Sequence, residues 1–190
     1  MSAGLLVLVA GPSGAGKDTL IAAAREALAG DARYVFARRI VTRAKNSFEN
    51  HDTLSAEQFA AGIAAGRFAL HWQAHGLSYG LARTIDEQIA EGKVVVCNVS
   101  RAAIPAARER YARVAVIHVD AHPDVRAARI AARGRDAAAG SRIDPARNEL
   151  AFACDVTIDN SGPLATSAAE FTHALVALAD HAAGARPGPG

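Results

Sequence analysis

The chain has 190 residues, half of them hydrophobic, and a formal net charge of +2. That length suits one α/β domain with small insertions and a sizeable core, and so small a charge gives no reason to expect nucleic acid or an anionic membrane surface as a partner. The two cysteines, Cys97 and Cys154, belong to no C-x-x-C pair, which argues against a metal or redox centre; both are read as free thiols in core strands, as a reducing cytoplasm allows.

In chain order, Leu5 to Ala10 is apolar throughout, as a strand buried on both faces should be. The stretch Gly11-Pro12-Ser13-Gly14-Ala15-Gly16-Lys17 follows, and a helix is predicted from about Asp18 to Ala29, with Gly30 as its stop. Tyr34 to Ala37 reads as a second short strand. Next come a basic segment, Arg38 to Lys45, and a polar stretch, Asn46 to Thr53, read as a loop. Ser55 and Gln58 have capping-box spacing and open a helix with Phe59 and Ile63 on one face, ended by Gly66. Phe68, Leu70 and Trp72 alternate with Ala69 and His71, a strand pattern. Gly76 to Gly80 reads as a turn and the start of a further strand. Thr84 and Glu87 form a second capping box on a helix that ends at Gly92.

Two β-branched runs, Val94 to Val99 and Val114 to Val119, read as central parallel strands flanking a helix from about Ala102 to Arg110. Pro123 opens a helix reaching Arg133. An arginine-rich region follows, then a short strand, Asp155 to Asp159, a turn, Asn160 to Pro163, and a closing helix, Leu164 to Ala182. The alternation predicts an α/β fold with three layers and a parallel core sheet, in a single domain over 1–183. Residues from about 33 to 84 are an insertion between core strands, and 184–190 read as a disordered tail. The apolar run at the start is short and has no basic flank, so no signal peptide is expected; no segment is apolar and long enough to span a bilayer, and the expected setting is the cytoplasm.

A strand, a glycine-rich turn and a helix in succession are the setting of a P-loop, whose curled backbone and helix N-terminus cradle phosphates. Gly11, Pro12, Ser13, Gly14, Ala15 and Gly16 supply that backbone, and Lys17 supplies a mobile charge for the outer phosphates. The G-x-x-x-x-G-K spacing is complete, but the next residue is Asp18 where the pattern has Ser or Thr, with Thr19 one place later. Arginines cluster on both sides: Arg38, Arg39 and Arg43 after the second strand, and Arg129, Arg133, Arg135, Arg142 and Arg147 after the fourth core strand. Guanidinium forks grip phosphate oxygens in pairs, so two such clusters suit a donor triphosphate and a phosphorylated acceptor. Arg25, Arg108, Arg110 and Arg126 are read as solvated surface charges. An acceptor phosphate carries its own nucleophilic oxygen, so no general base is required. No carboxylate stands at the tip of the strand ending at Val99; Asp18 and Thr19 are the nearest candidates for holding Mg2+ and Asp120 is another, the alternative being a metal held mainly by phosphates and waters. Gln73, His75 and Tyr79 are placed in the acceptor pocket, and Trp72 in the core.

The glycine loop, Thr42-Arg43, Gly66-Arg67-Phe68, Tyr79-Gly80 and Arg133-Gly134-Arg135 together resemble the order of motifs in guanylate kinases, over nearly the whole chain. The resemblance is closer to a sister family, the ribose 1,5-bisphosphate phosphokinases of phosphonate utilisation (the PhnN family). It is carried by Lys17-Asp18, Arg39 to Arg43, the unusual run from Phe68 to Leu77, Tyr79-Gly80, Ser100-Arg101 and Asp159 to Gly162. It implies transfer of the γ-phosphoryl group of ATP to the 1-phosphate of ribose 1,5-bisphosphate, giving 5-phosphoribosyl 1-diphosphate. It implies a P-loop kinase fold with a small acceptor-binding insertion and an arginine-rich lid over about 134–147. Lys17, Arg133 and Arg142 would then be catalytic. Residues 11–19 with Arg129 and Arg133 would hold ATP and magnesium. Arg39, Arg43, Gln73, His75, Tyr79, Ser100, Arg101 and Arg142 would hold the acceptor. The chain departs from guanylate kinases after the strand ending at Val99, where it has Ser100 and Arg101 in place of a base-reading carboxylate; Glu49 is still available on the acceptor side. The alternatives are a guanylate or other nucleoside monophosphate kinase, and a catalytically silent interaction module. The protein is expected as a monomer or homodimer, with no nucleic acid or membrane partner.

Overall fold

The structure is a computed structural model that describes residues 4–42, 51–132 and 152–184. Its core is a five-stranded parallel sheet with the strand order β2-β7-β1-β8-β9. These strands are β1 (Leu5–Ala10), β2 (Tyr34–Ala37), β7 (Val94–Asn98), β8 (Val114–Asp120) and β9 (Val156–Asp159). Every residue of β1 is buried, because it lies at the centre with layers on both faces. Alternation divides its side chains between two cores. Leu5, Val7 and Val9 pack with Leu20 and Ile21 of α1 (Lys17–Ala27) and with Phe171 and Leu175 of α6 (Leu164–Gly184). Leu6, Leu8 and Ala10 share the opposite core with Ile85 of α3 (Thr84–Ala90) and with Ile104 and Ala107 of α4 (Ile104–Arg110). The fold is therefore three-layered, and the carboxyl ends of β1, β7 and β8 meet at one edge, where Val9 pairs with Asn98 and Ala10 with His118.

The second sheet has four strands in the order β4-β3-β6-β5. They are β3 (Arg39–Val41), β4 (His51–Thr53), β5 (Phe68–Ala74) and β6 (Leu77–Ala82). The sequence reading starts an insertion at about residue 33; instead Tyr34–Ala37 pairs with β7 in the core sheet, and the separate sheet begins at Arg39. The polar stretch read as a loop contributes a strand: His51, Asp52 and Thr53 pair in parallel with Arg39, Ile40 and Val41. Such a strand is invisible to periodicity, since its three residues are polar and only a neighbouring strand completes their hydrogen bonds.

The capping box at Ser55 forms, with Ser55 and Gln58 each accepting from the other's backbone N–H, and opens α2 (Ala56–Ala64). Its packed face differs from the expected one. Phe59 is buried against Phe68, with ring centroids 4.5 Å apart, while Ile63 is 42% exposed. Phe68 lies over Gly62, where a Cβ would come within 2.8 Å of its ring, so the helix approaches through its glycine. The capping box expected at Thr84 does not form. Thr84 is already helical behind Arg83, and the Asp86 carboxylate is engaged by Arg110 and Tyr111, both at 2.6 Å. Gly66 and Gly92 end their helices in the left-handed conformation, as expected. The first helix ends earlier than expected, at Ala27, and Gly30 does not adopt the left-handed conformation. The closing helix includes Gly184, two residues beyond the expected end; the rest of the expected tail lies outside the described residues. Cys97 is buried in β7, but Cys154 is exposed and precedes β9 rather than lying within a core strand.

Candidate active site at the carboxyl edge of the sheet

The loop between β1 and α1 closes around three glycines with positive φ: Gly11 at 150°, Gly14 at 81° and Gly16 at 90°. Gly16 is the most constrained by its neighbours' side chains. A Cβ there would lie 2.3 Å from Nδ2 of Asn160, in a conformation that L side chains rarely adopt. Asn160, 1% exposed, donates from Nδ2 to the carbonyl of Ala15 at 2.8 Å and so pins the loop to the turn after β9. Its backbone N–H donates to the Asp120 carbonyl at 2.8 Å, and its own carbonyl accepts from the Arg129 guanidinium at 2.9 Å. Asn160 thus joins the glycine loop, the end of β8 and α5 (Pro123–Ala132). Lys17 folds back over the loop and donates to the carbonyls of Gly11 and Pro12 at 2.8 and 2.9 Å. Pro12 lies at the partly exposed rim and Ser13 is exposed at the tip.

Arg126 corrects the sequence reading. It is 8% exposed, not a solvated charge, and its backbone lies under Gly14, where a Cβ would come within 2.8 Å of its carbonyl oxygen. Its apolar neighbours in sequence gave no sign of this. Arg108 and Arg110 are also engaged, donating to the Ala153 carbonyl and the Asp86 carboxylate, each at 2.6 Å.

Asp18 lies in the first turn of α1. Asn98 at the end of β7 donates from Nδ2 to its Oδ1 at 2.7 Å, and the Arg39 guanidinium lies 3.8 Å from its Oδ2. Asp18, Arg25, Arg39 and Asn98 line part of a cleft of about 50 Å³ between α1 and the ends of β2 and β7, with Ile21, Ala22 and Ala37 completing its walls. This arrangement suits Asp18 poorly as a magnesium ligand, since one oxygen is taken by an amide and the other faces a cation. Thr19 is exposed on the helix surface. Among the described residues no group of three or more His, Cys, Asp or Glu could hold a metal ion.

Among the residues expected to hold the acceptor, the Arg39 guanidinium lies 6.0 Å from the centre of the Tyr79 ring, which stacks on Trp72 at 5.6 Å and an interplanar angle of 8°. Trp72 is buried, as the sequence suggests. Gln73 and His75 do not join this group. They lie exposed at the tip of the β5–β6 hairpin, with His75 and Gly76 both at positive φ in a two-residue turn. That tip lies beside Thr42, whose Oγ1 accepts from the Ser78 N–H at 2.9 Å. Ser100 and Arg101 begin the short helical turn after β7, and the Ser100 hydroxyl oxygen is buried without a hydrogen-bond partner among the described residues. Arg43, Arg133 and Arg142 lie outside the described residues, as do Arg135, Arg147 and Glu49.

His118 was not singled out in the sequence. It lies at the end of β8, edge-on to Phe152 with ring centroids 5.2 Å apart. Burial lowers its pKa from the ordinary value; Asp120 opposes this shift, and Arg101 and Lys17 reinforce it. Its charged neighbours therefore come from the glycine loop, the end of its own strand and the turn after β7. Only β-strand register could have pointed to it, since it occupies one alternating position in an apolar run.

No protein-family model matches the chain. Among curated proteins, the ribose 1,5-bisphosphate phosphokinase PhnN of Methylobacterium radiotolerans is 51% identical over 168 residues, covering 88% of this chain and 95% of that protein. The PhnN protein of Rhodopseudomonas palustris is 52% identical over 159 residues, covering 84% of this chain and 81% of its own length. Among solved structures, the guanylate kinase of Anaplasma phagocytophilum superposes with a TM-score of 0.69 at 17% identity, covering 93% of this chain and 86% of that one. This last likeness establishes the fold: a guanylate-kinase-like α/β architecture. The sequence identities establish the kinship, and the chain belongs to the ribose 1,5-bisphosphate phosphokinase PhnN family.

Proposed function

We propose that this protein transfers the γ-phosphoryl group of ATP to the 1-phosphate of α-D-ribose 1,5-bisphosphate, giving ADP and 5-phosphoribosyl 1-diphosphate. One observation carries the reading most directly. The glycine loop with Lys17 and the Arg39–Tyr79 platform belong to different sheets, yet Asp18 joins them at 3.8 Å from Arg39. That contact supports a reading in which donor and acceptor sides lie next to each other, as an in-line transfer between two phosphates requires. An oxygen of the 1-phosphate forms the new bond to the γ-phosphorus as the bond to the β–γ bridging oxygen breaks. The electron pair leaves with ADP, and no proton has to be removed from the acceptor.

Asn98, Ser100 and Arg101 favour the sugar bisphosphate over a nucleotide. A site built to read a base loses strongly when its hydrogen-bonding partners are missing, and an arginine suits a second phosphate. Arg43 would join Arg39 on the acceptor, and Arg133 and Arg142 would neutralise the transferring group. Magnesium entering with the triphosphate would be held by phosphate oxygens and water. The setting would be the cytoplasm, as a monomer or homodimer, and no described helix is apolar and long enough to cross a membrane.

The test is phosphorus NMR of the products from ATP with ribose 1,5-bisphosphate, run beside ATP with GMP. A new diphosphate on C1 is expected with the bisphosphate, and little ADP with GMP. Ready phosphorylation of GMP with none of the bisphosphate would make this a nucleotide kinase. Turnover of neither, with ATP bound, would favour a silent interaction module.

A further inference from the structure

A carboxylate directly after the P-loop lysine is an electrostatic oddity. The loop works by positive potential, and an acid beside Lys17 opposes the binding of a triphosphate unless its charge is turned aside and compensated. Both conditions hold here. Asn98, 6% exposed at the end of β7 and paired there with Val9 of β1, donates to Oδ1 of Asp18 at 2.7 Å. A carboxylate only accepts, so this contact dictates which face of the Asn98 amide is turned to it. The other oxygen faces the Arg39 guanidinium at 3.8 Å, beyond hydrogen-bond length, so it acts on Arg39 through charge. Arg39 is nearly enclosed, with its side chain 12% exposed between Asp18 and the Tyr79 ring.

We propose that Asp18 is a positioning residue for the acceptor: held by Asn98, its carboxylate aims the Arg39 guanidinium at the acceptor phosphate and ties that arginine to the donor loop. The proposal rests on the phosphotransfer reading above and deepens it. Serine or threonine at this position would remove the charge that Asp18 turns to Arg39. Asp18 costs the donor site little because its charge is spent on the acceptor arm. The chemistry recognised is a phosphate dianion, which meets a guanidinium already oriented rather than one that must be ordered on binding.

The experiment is steady-state kinetics of Asp18→Asn, Asp18→Ser, Asp18→Glu and Arg39→Lys, and of Asp18→Asn with Arg39→Lys, varying bisphosphate, ATP and Mg2+ separately. Asp18→Asn and Asp18→Ser are expected to raise KM for the bisphosphate about threefold to tenfold and leave KM for ATP within about twofold. Asp18→Glu, which keeps the charge, recovers part of the loss. In the Arg39→Lys background Asp18→Asn adds little, because the group it orients is already gone. Urea midpoints of the variants separate this from a loss of fold. A bisphosphate KM unmoved by Asp18→Asn, additive effects in the double variant, or a raised Mg2+ requirement with an unmoved bisphosphate KM would each overturn the proposal. Absence of bisphosphate turnover by the wild-type protein would overturn the underlying reading, and the proposal with it.

Discussion

Replacing Gly16 by alanine tests how the donor loop is held. The substitution carries two costs that can be separated. An L residue at φ 90° is strained, at roughly 1–2 kcal/mol. The new Cβ would also stand 2.3 Å from Nδ2 of Asn160 and drive that amide off the Ala15 carbonyl, which it reaches at 2.8 Å. Losing a buried hydrogen bond and stranding its acceptor costs about 1–3 kcal/mol. Gly16→Ala is therefore expected to lose about 2–5 kcal/mol, combining the strain and hydrogen-bond costs, and Asn160→Ala about 1–3 kcal/mol. The two share one hydrogen bond, so the double variant should cost no more than Gly16→Ala alone, with a coupling of about 1–3 kcal/mol. Urea unfolding of the wild type, both single variants and the double variant at pH 7 measures this. For a chain of this size each kcal/mol lowers Tm by roughly 2–4 °C, so thermal melts give an independent reading. Additivity within about 0.5 kcal/mol would refute the reasoning, because the amide would then not be what Gly16 makes room for.

Three further outcomes follow from the same geometry. Lys17→Ala removes the charge now bonded to the Gly11 and Pro12 carbonyls; it should lower kcat by about 10²–10³ while barely shifting the urea midpoint, and near-normal turnover would remove Lys17 from the donor site. Burial pushes the Cys97 thiol up to about 12, whereas Cys154 is exposed, so an aromatic disulfide reagent should label one thiol quickly in the native protein and the second only on unfolding. His118 has its pKa lowered in the folded state from 6.5, so the unfolded chain binds the proton more readily. Its contribution to stability is complete above the unfolded value and is lost as pH falls from there through the folded one. Chemical unfolding from pH 7.5 down to 5 should therefore show a smaller acid loss in His118→Gln than in the wild type; equal slopes would refute it.

The geometry of the phosphate loop was legible in the sequence, and that of the residues read as the acceptor side only in part. Glycines at fixed spacing between an apolar strand and a helix admit one local geometry, and the loop adopts it. The resemblance grouped Arg39 and Tyr79 with Arg43, and the first two meet through the pairing of β3 with β6. Gln73 and His75 looked equivalent to Tyr79 because strand alternation does not say how far along a hairpin a side chain lies; the turn at His75 and Gly76 sends them to its exposed tip. Arg126 was read as a solvated charge, and His118 was not singled out, for a related reason. Each is a polar residue in a helix or strand whose burial depends on what another part of the chain places above it.

By itself the sequence determined the parallel core, the phosphate loop and the family, because continuous β-branched runs, left-handed glycines and capping residues act over a few positions. It left the meaning of Asp18 undetermined. Read along the chain, Asp18 was a departure from the P-loop pattern and a possible magnesium ligand. Tertiary structure brings Asn98 from 80 positions away to one oxygen and Arg39 from the second sheet to the other. The role of a carboxylate is set by the charges and donors that surround it, and those were assembled only when two sheets closed on one helix terminus.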